Sequence, residues 1–110
     1  MYKRQKQDYK DLIPLYKRTI AEYPNLELQE GMLNIFGLRL SFNPEKKEQG
    51  YNVLSLALHL YSKSANLYDS LAEAYFYNKD YANAILNYKK SLELNPGNQN
   101  AIDRLKQLKE

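Results

Sequence analysis

Apolar residues recur at helical spacing along almost the whole chain. In SANLYDSLAEAYFYN, Tyr68, Leu71, Ala72 and Tyr75 stand at i, i+3, i+4 and i+7 and so share one helix face, while Asp69 and Glu73 point elsewhere. Ser64 precedes this run and is expected to cap it. Beyond Asn78-Lys79-Asp80 a second run, through Tyr81, Ala84, Ile85, Tyr88, Ser91 and Leu92, continues until Pro96 and Gly97 stop it. Two amphipathic helices joined by so short a turn must fold back as an antiparallel hairpin.

The second helix of this hairpin is written three times. At an offset of 72 residues Tyr9 matches Tyr81, Ile13 matches Ile85, Tyr16 matches Tyr88, Thr19 matches Ser91, Ile20 matches Leu92 and Pro24 matches Pro96. At an offset of 34, Gly50 matches Ala84, Leu54 matches Tyr88, Ala57 matches Ser91 and Leu58 matches Leu92. The middle copy has its own first helix in Leu33, Phe36, Gly37 and Leu40, although its turn, SFNPEKKEQ, carries an extra residue and Ser62 stands where Pro96 predicts a proline. Small residues at Gly50 and Ala84 allow helix backbones to approach closely, with Tyr75 or Tyr88 filling the neighbouring gap. The first copy departs from this rule. Leu12 occupies the small position and Pro14 falls where Leu86 lies; a proline inside a helix costs about 3 kcal/mol. The first helix is therefore expected to start near Asp11 or to kink at Pro14.

A helix, a turn and a helix in a period of 34 residues resemble the tetratricopeptide repeat, whose pattern W-x2-L-G-x2-Y, A-x3-F, P is met with conservative exchanges by Tyr68, Leu71, Ala72, Tyr75, Ala84, Tyr88 and Pro96. The resemblance implies an all-α fold of antiparallel helical hairpins stacked as an α-solenoid, with about six helices. Residues 1–29 read as a linker and a lone half-repeat helix, 30–64 as a degenerate repeat, 65–98 as a well-matched repeat and 99–110 as a C-terminal capping helix. In that last helix Ala101, Ile102, Leu105 and Leu108 lie on one side, with Lys106, Lys109 and Glu110 outward. Because the chain opens in mid-repeat, the face of the first helix carrying Leu12, Leu15 and Thr19 is expected to dock on something upstream or on a second copy, while Ile13, Tyr16 and Ile20 pack on the hairpin that follows.

A narrower resemblance rests on GMLNIFGLRL, SANLYDSLAEAY and AILNYKKSLELNPGNQNAIDRLKQL. These stretches look like the tetratricopeptide-like extension that follows the catalytic domain in bacterial serine hydrolases, both esterases of the α/β-hydrolase type and β-lactamase-related enzymes. The sequence departs from that family at Phe36-Gly37-Leu38, where a tyrosine usually follows the glycine, and at Ser62. The resemblance implies an enzyme upstream and assigns no catalytic residue to this chain.

Composition narrows the chemistry further. At 110 residues, 44% of them hydrophobic, the chain suits one small domain. The lack of cysteine removes disulfides, thiolate catalysis and cysteine zinc sites while leaving the compartment open. No apolar run approaches the roughly 20 residues of a membrane span, and the net charge of +3, with a mild cluster at Lys3, Arg4, Lys6 and Lys10, is too dilute for a nucleic-acid footprint. The tyrosines recur at core spacing, which argues against base stacking. No G-x-S-x-G elbow is present, and the lone His59, near a helix end, reads as an ordinary surface residue. Asp69 and Glu73 form an i, i+4 carboxylate pair without a histidine nearby, so they read as a solvated helix face and not as metal ligands. The isolated Gly31, Gly37, Gly50 and Gly97 make no phosphate loop. No catalytic residue, metal or cofactor is expected.

Binding remains. In stacked hairpins the first helices line a concave groove, here by Asn66, Asp69, Glu73 and Phe76, flanked by Asn34 and Leu38 on one side and by Asn100, Asp103 and Gln107 on the other. Co-chaperone adaptors of this architecture hold a peptide's terminal carboxylates with lysine, arginine and asparagine, and Asp69 and Glu73 would repel such a ligand. The expected function is a non-catalytic interaction or scaffolding module, the C-terminal accessory domain of a bacterial hydrolase, with a free-standing peptide-binding adaptor as the alternative. A groove that binds nothing, on a domain acting as a spacer or dimer surface, stands beside both. Its partners would be proteins: the upstream catalytic domain, a peptide or a second copy.

Overall fold

The computed structural model describes residues 12–109, the side chain of Leu15 excepted. The basic cluster Lys3, Arg4, Lys6 and Lys10, the start expected for the first helix, Glu110, and the Leu15 side chain proposed for docking lie outside the described residues. Within them the chain is all-helical: α1 (Leu12–Glu22), α2 (Glu30–Ser41), α3 (Lys47–Leu60), α4 (Ala65–Tyr77), α5 (Tyr81–Leu94) and α6 (Gln99–Lys109). The helices α2 and α3 form one hairpin, α4 and α5 a second, and α6 stacks on α5. Extents of 46 × 29 × 17 Å reflect stacking along one direction, as repeat architectures require.

Local chemistry sets the helix boundaries. The Ser64 hydroxyl accepts from Leu67 N at 3.1 Å, as its position ahead of the apolar run predicts, and the Asp80 carboxylate accepts from Asn83 N at 3.3 Å. Between them Lys79 takes a left-handed φ of 67°, Lys79 N donates to Phe76 O, and Asp80 N reaches back to Tyr75 O at 2.9 Å. That pair of bonds closes the end of α4 in the Schellman manner. Pro14 is the third described residue of α1 and is exposed, a place near a helix start where proline is tolerated.

Two apolar clusters hold the stack together. Between the hairpins, Leu54 and Ala57 from α3 meet Leu67, Leu71 and Ala74 from α4, with Leu33, Leu38, Tyr61 and a stacked Tyr51–Tyr75 pair, ring centroids 4.5 Å apart, around them. The second cluster joins Ala72, Ala84, Tyr88 and Ala101, with Leu92, Leu105 and Leu108 on its edge. Tyr88 is fully buried.

At the other end the register slackens. α1 packs chiefly on α3, and Leu12, Ile13, Tyr16, Thr19 and Ile20 are all half-buried. In the alignment of Leu33 with Tyr68 and Phe36 with Leu71, the positions of Leu67 and Leu71, which pack α4 on the preceding hairpin, and of the buried Ser70 fall on α2 at Met32, Phe36 and Ile35 respectively. Those three are 68%, 56% and 54% exposed. Among the described residues, α2 therefore carries an open apolar surface at this end. The connection at residues 23–29, longer than the turn of residues 95–98 between α5 and α6, is anchored by Tyr61 Oη donating to Leu28 O at 2.6 Å.

Candidate interaction face of the first helices

The helices α2, α4 and α6 carry the residues expected on the groove. Asp69 and Glu73, one turn apart on α4, point at α6 and are half-buried. Asp69 accepts from Asn98 at 3.1 Å and from Asn100 at 3.1 and 3.2 Å. Glu73 accepts from Asn100 at 2.9 Å, from Arg104 Nε at 2.9 Å and Nη2 at 3.2 Å, and from the buried Tyr88 hydroxyl. The guanidinium also lies 4.1 Å above the Phe76 ring centroid and donates to Tyr77 Oη at 3.1 Å. Such a fork, bidentate on a carboxylate and stacked on an aromatic face, is geometry that only arginine supplies.

The electrostatics follow from this enclosure. Burial alone would raise the Glu73 carboxyl, but the hydrogen bonds from Arg104, Tyr88 and Asn100 outweigh it and hold the group below its ordinary value. Asp69 moves the other way, because burial raises it more than its bonds from Asn100 and Asn98 lower it. Burial and the facing Glu73 push the Tyr88 hydroxyl far up, so it remains a donor, and the bond to Glu73 keeps Arg104 charged. The carboxylate pair read from the sequence as a solvated face is thus an internal network, joined to a helix whose arginine the sequence reading passed over.

The remaining groove positions are placed as follows. Phe76 lies half-buried beneath Arg104, and Asn66 is exposed on α4. Leu38 packs on the first cluster, while Asn34 beside it has a buried Oδ1 with no hydrogen-bond partner among the described residues. Asn100 is tied to Asp69 and Glu73; Asp103 accepts from Gln99 at 2.9 Å, and Gln107 accepts from Arg104 at 3.1 Å. Leu12 and Thr19, proposed for docking, belong to the half-buried side chains of α1. His59 is exposed in the last turn of α3.

Sequence reasoning also passed over a recess of about 510 Å³ lined by Phe42, Glu73, Tyr77 and Asn78. Phe42 and Tyr77 meet edge to face at 5.3 Å and remain 49% and 56% exposed. Asn78 donates to Ser41 O and Ala74 O, each at 2.9 Å, which fixes the ends of α2 and α4 side by side. Arg104 could have been found from its sign, as the cation beside groove positions 103 and 107 opposite two carboxylates. Phe42 and Tyr77 could have been found as large aromatics at matching helix ends.

Residues 65–98 match the family model of the tetratricopeptide repeat. No curated protein and no solved structure matches the chain. The matched stretch, with the all-helical hairpin fold, indicates a protein-interaction module of a generally non-catalytic kind. Among the described residues no helix is long and apolar enough to cross a membrane.

Proposed function

We propose that this module receives a short peptide with an aromatic or aliphatic anchor at the Phe42–Tyr77 recess, and that it serves as the C-terminal accessory domain of a bacterial serine hydrolase. The observation that carries the peptide reading is the pairing of two exposed aromatic rings over a recess whose polar neighbours already bond to one another. Arg104 is committed to Glu73 and Tyr77, so what the surface offers a ligand is chiefly apolar. This disfavours the carboxylate clamp of a co-chaperone adaptor. The hydrolase context is supported by the resemblance of the three quoted stretches, with catalysis left to the enzyme, since the sequence pairs no nucleophile with its single histidine.

The recess is tested by titrating the isotopically labelled chain with peptides that differ only in carrying Phe, Leu or Asp at one position. The Phe and Leu peptides should shift the amide signals of Tyr77 and Asn78, and Tyr77→Ala should weaken them at least about tenfold. Equal binding of the Asp peptide, or indifference to Tyr77→Ala, refutes the site. For the hydrolase reading, the genomic frame should run upstream into a serine hydrolase domain, and the isolated chain should take no label from a serine-directed phosphonate.

A further inference from the structure

Beyond the first-helix face, a groove of about 410 Å³ runs between α5 and α6, floored by Ile85, Leu92, Ile102, Leu105 and Leu108. Its place in the repeat indicates what shape it takes. Shifted by 34 residues, the face of α4 that receives α5, at Tyr68, Ala72 and Tyr75, becomes Ile102, Lys106 and Lys109 on α6. The groove is therefore the seat that a second helix would occupy beside α6.

Its charge indicates what kind of helix. Lys106 stands at the position where Ala72 lets backbones close up, and Lys89 and Lys109 line the same groove. All three are exposed, and none forms a salt bridge among the described residues. Among the described residues no carboxylate lines the groove. A neutral helix seated there would meet a lysine at the closest crossing, whereas one with carboxylates beside its apolar stripe would pair with all three. The obvious helix of a second copy, α1, exposes Lys17 and Arg18 against a single carboxylate, Glu22, and so brings the wrong net sign.

We propose that the α5–α6 groove docks an amphipathic helix of a partner protein, apolar along one stripe and flanked by carboxylates. The probes are two synthetic helices, end-capped and with the same leucine stripe, one flanked by glutamates and the other by lysines. Added to the full chain with labelled methyl groups, the acidic helix should move the signals of Ile85, Leu92 and Ile102 and bind at least about tenfold more tightly than the basic one, an advantage that shrinks as salt is raised. Lys106→Glu together with Lys109→Glu should reverse the preference, a gain of binding to the basic helix that an unfolded variant would not show. Absence of binding, equal binding of both helices, or backbone amide shifts confined to Phe42 and Tyr77 with the methyls unmoved would overturn the proposal. Concentration-dependent shifts of the same methyls without peptide, with a dimer in sedimentation, would assign the seat to a second copy and overturn it equally.

Discussion

The two hairpins make the same crossing by different means. In α4–α5 the helices meet through Ala72 and Ala84, both fully buried, with Tyr88 filling the space beside them. In α2–α3 they meet through Gly37 and Gly50, and there the backbones themselves touch: a Cβ on Gly50 would stand 2.4 Å from Ser41 N and 2.7 Å from Gly37 O. One contact is made by side chains and leaves a readable pattern. The other is made by main chain, so the identifying residues shrink to glycine and the pattern thins. This accounts for a family match confined to residues 65–98 although the structure repeats the hairpin before them.

The sharpest way to break that comparison is to add side-chain bulk to each crossing. Gly50→Ala improves intrinsic helix propensity by about 1 kcal/mol, yet the new methyl would press on backbone that cannot rotate away. It should destabilise the domain by about 3 kcal/mol, at the upper end of overpacking costs. Ala84→Leu meets side chains that can adjust and should cost about 2 kcal/mol. Denaturant midpoints rank the two; a neutral or stabilising Gly50→Ala would show that α2 and α3 are free to separate.

The next difference is polar. In the second hairpin Glu73 is locked by Arg104, Tyr88 and Asn100, whereas on α2 its register mate is Leu38, which joins an apolar cluster. Glu73→Gln should cost about 1–2 kcal/mol at neutral pH, by weakening a charge-assisted, part-buried pair. Because Glu73 is held below its unfolded value of 4.5, its stabilisation is present above that pH and is lost as pH falls through the folded pKa. Asp69, raised above 3.8, has the opposite sign, its ionisation disfavouring the fold above the raised value. Wild type should therefore lose more stability than Glu73→Gln when acidified below about pH 4.5. Parallel melting curves for the two would disprove the coupling.

What could be read beforehand, and what could not, divides along similar lines. Helical spacing, the Ser64 cap and the small position at Ala84 are local or side-chain features and were legible. Arg104 was passed over, because its role depends on α6 lying across α4, and the groove drawn through Asn100, Asp103 and Gln107 stepped over the arginine that stands between them. The exposed Met32, Ile35 and Phe36 were likewise hidden, since apolar residues at helical spacing read as core until the preceding helix is seen to pack on α3 instead. Nor does Asn78-Lys79-Asp80 announce a left-handed residue, a position where glycine is the usual choice. Lys79 at φ 67° carries a backbone strain that glycine would relieve, so Lys79→Gly should raise stability by about 0.5–1 kcal/mol without moving helix content. A loss of stability would mean that the lysine side chain holds the turn.

The smallest effect probes the same register in both hairpins. Asn34 on α2 corresponds to Asp69 on α4, and the partners of Asp69, Asn98 and Asn100, fall at Ser64 and Asn66 one repeat earlier. Ser64 donates to Glu30 instead and Asn66 is exposed, so Asn34 Oδ1 is buried without a partner among the described residues. An unsatisfied buried oxygen costs stability, and an apolar group of similar size in its place removes that cost. Asn34→Leu should therefore be neutral or stabilising by about 0.5 kcal/mol, extending the cluster around Leu33 and Leu38, whereas Asp69→Leu should destabilise by about 1–3 kcal/mol by removing the carboxylate that accepts from both Asn98 and Asn100. Thermal midpoints of the two variants against wild type decide it. If Asn34→Leu costs as much as Asp69→Leu, the Asn34 amide is bonded in solution, and the first hairpin carries a polar network of its own.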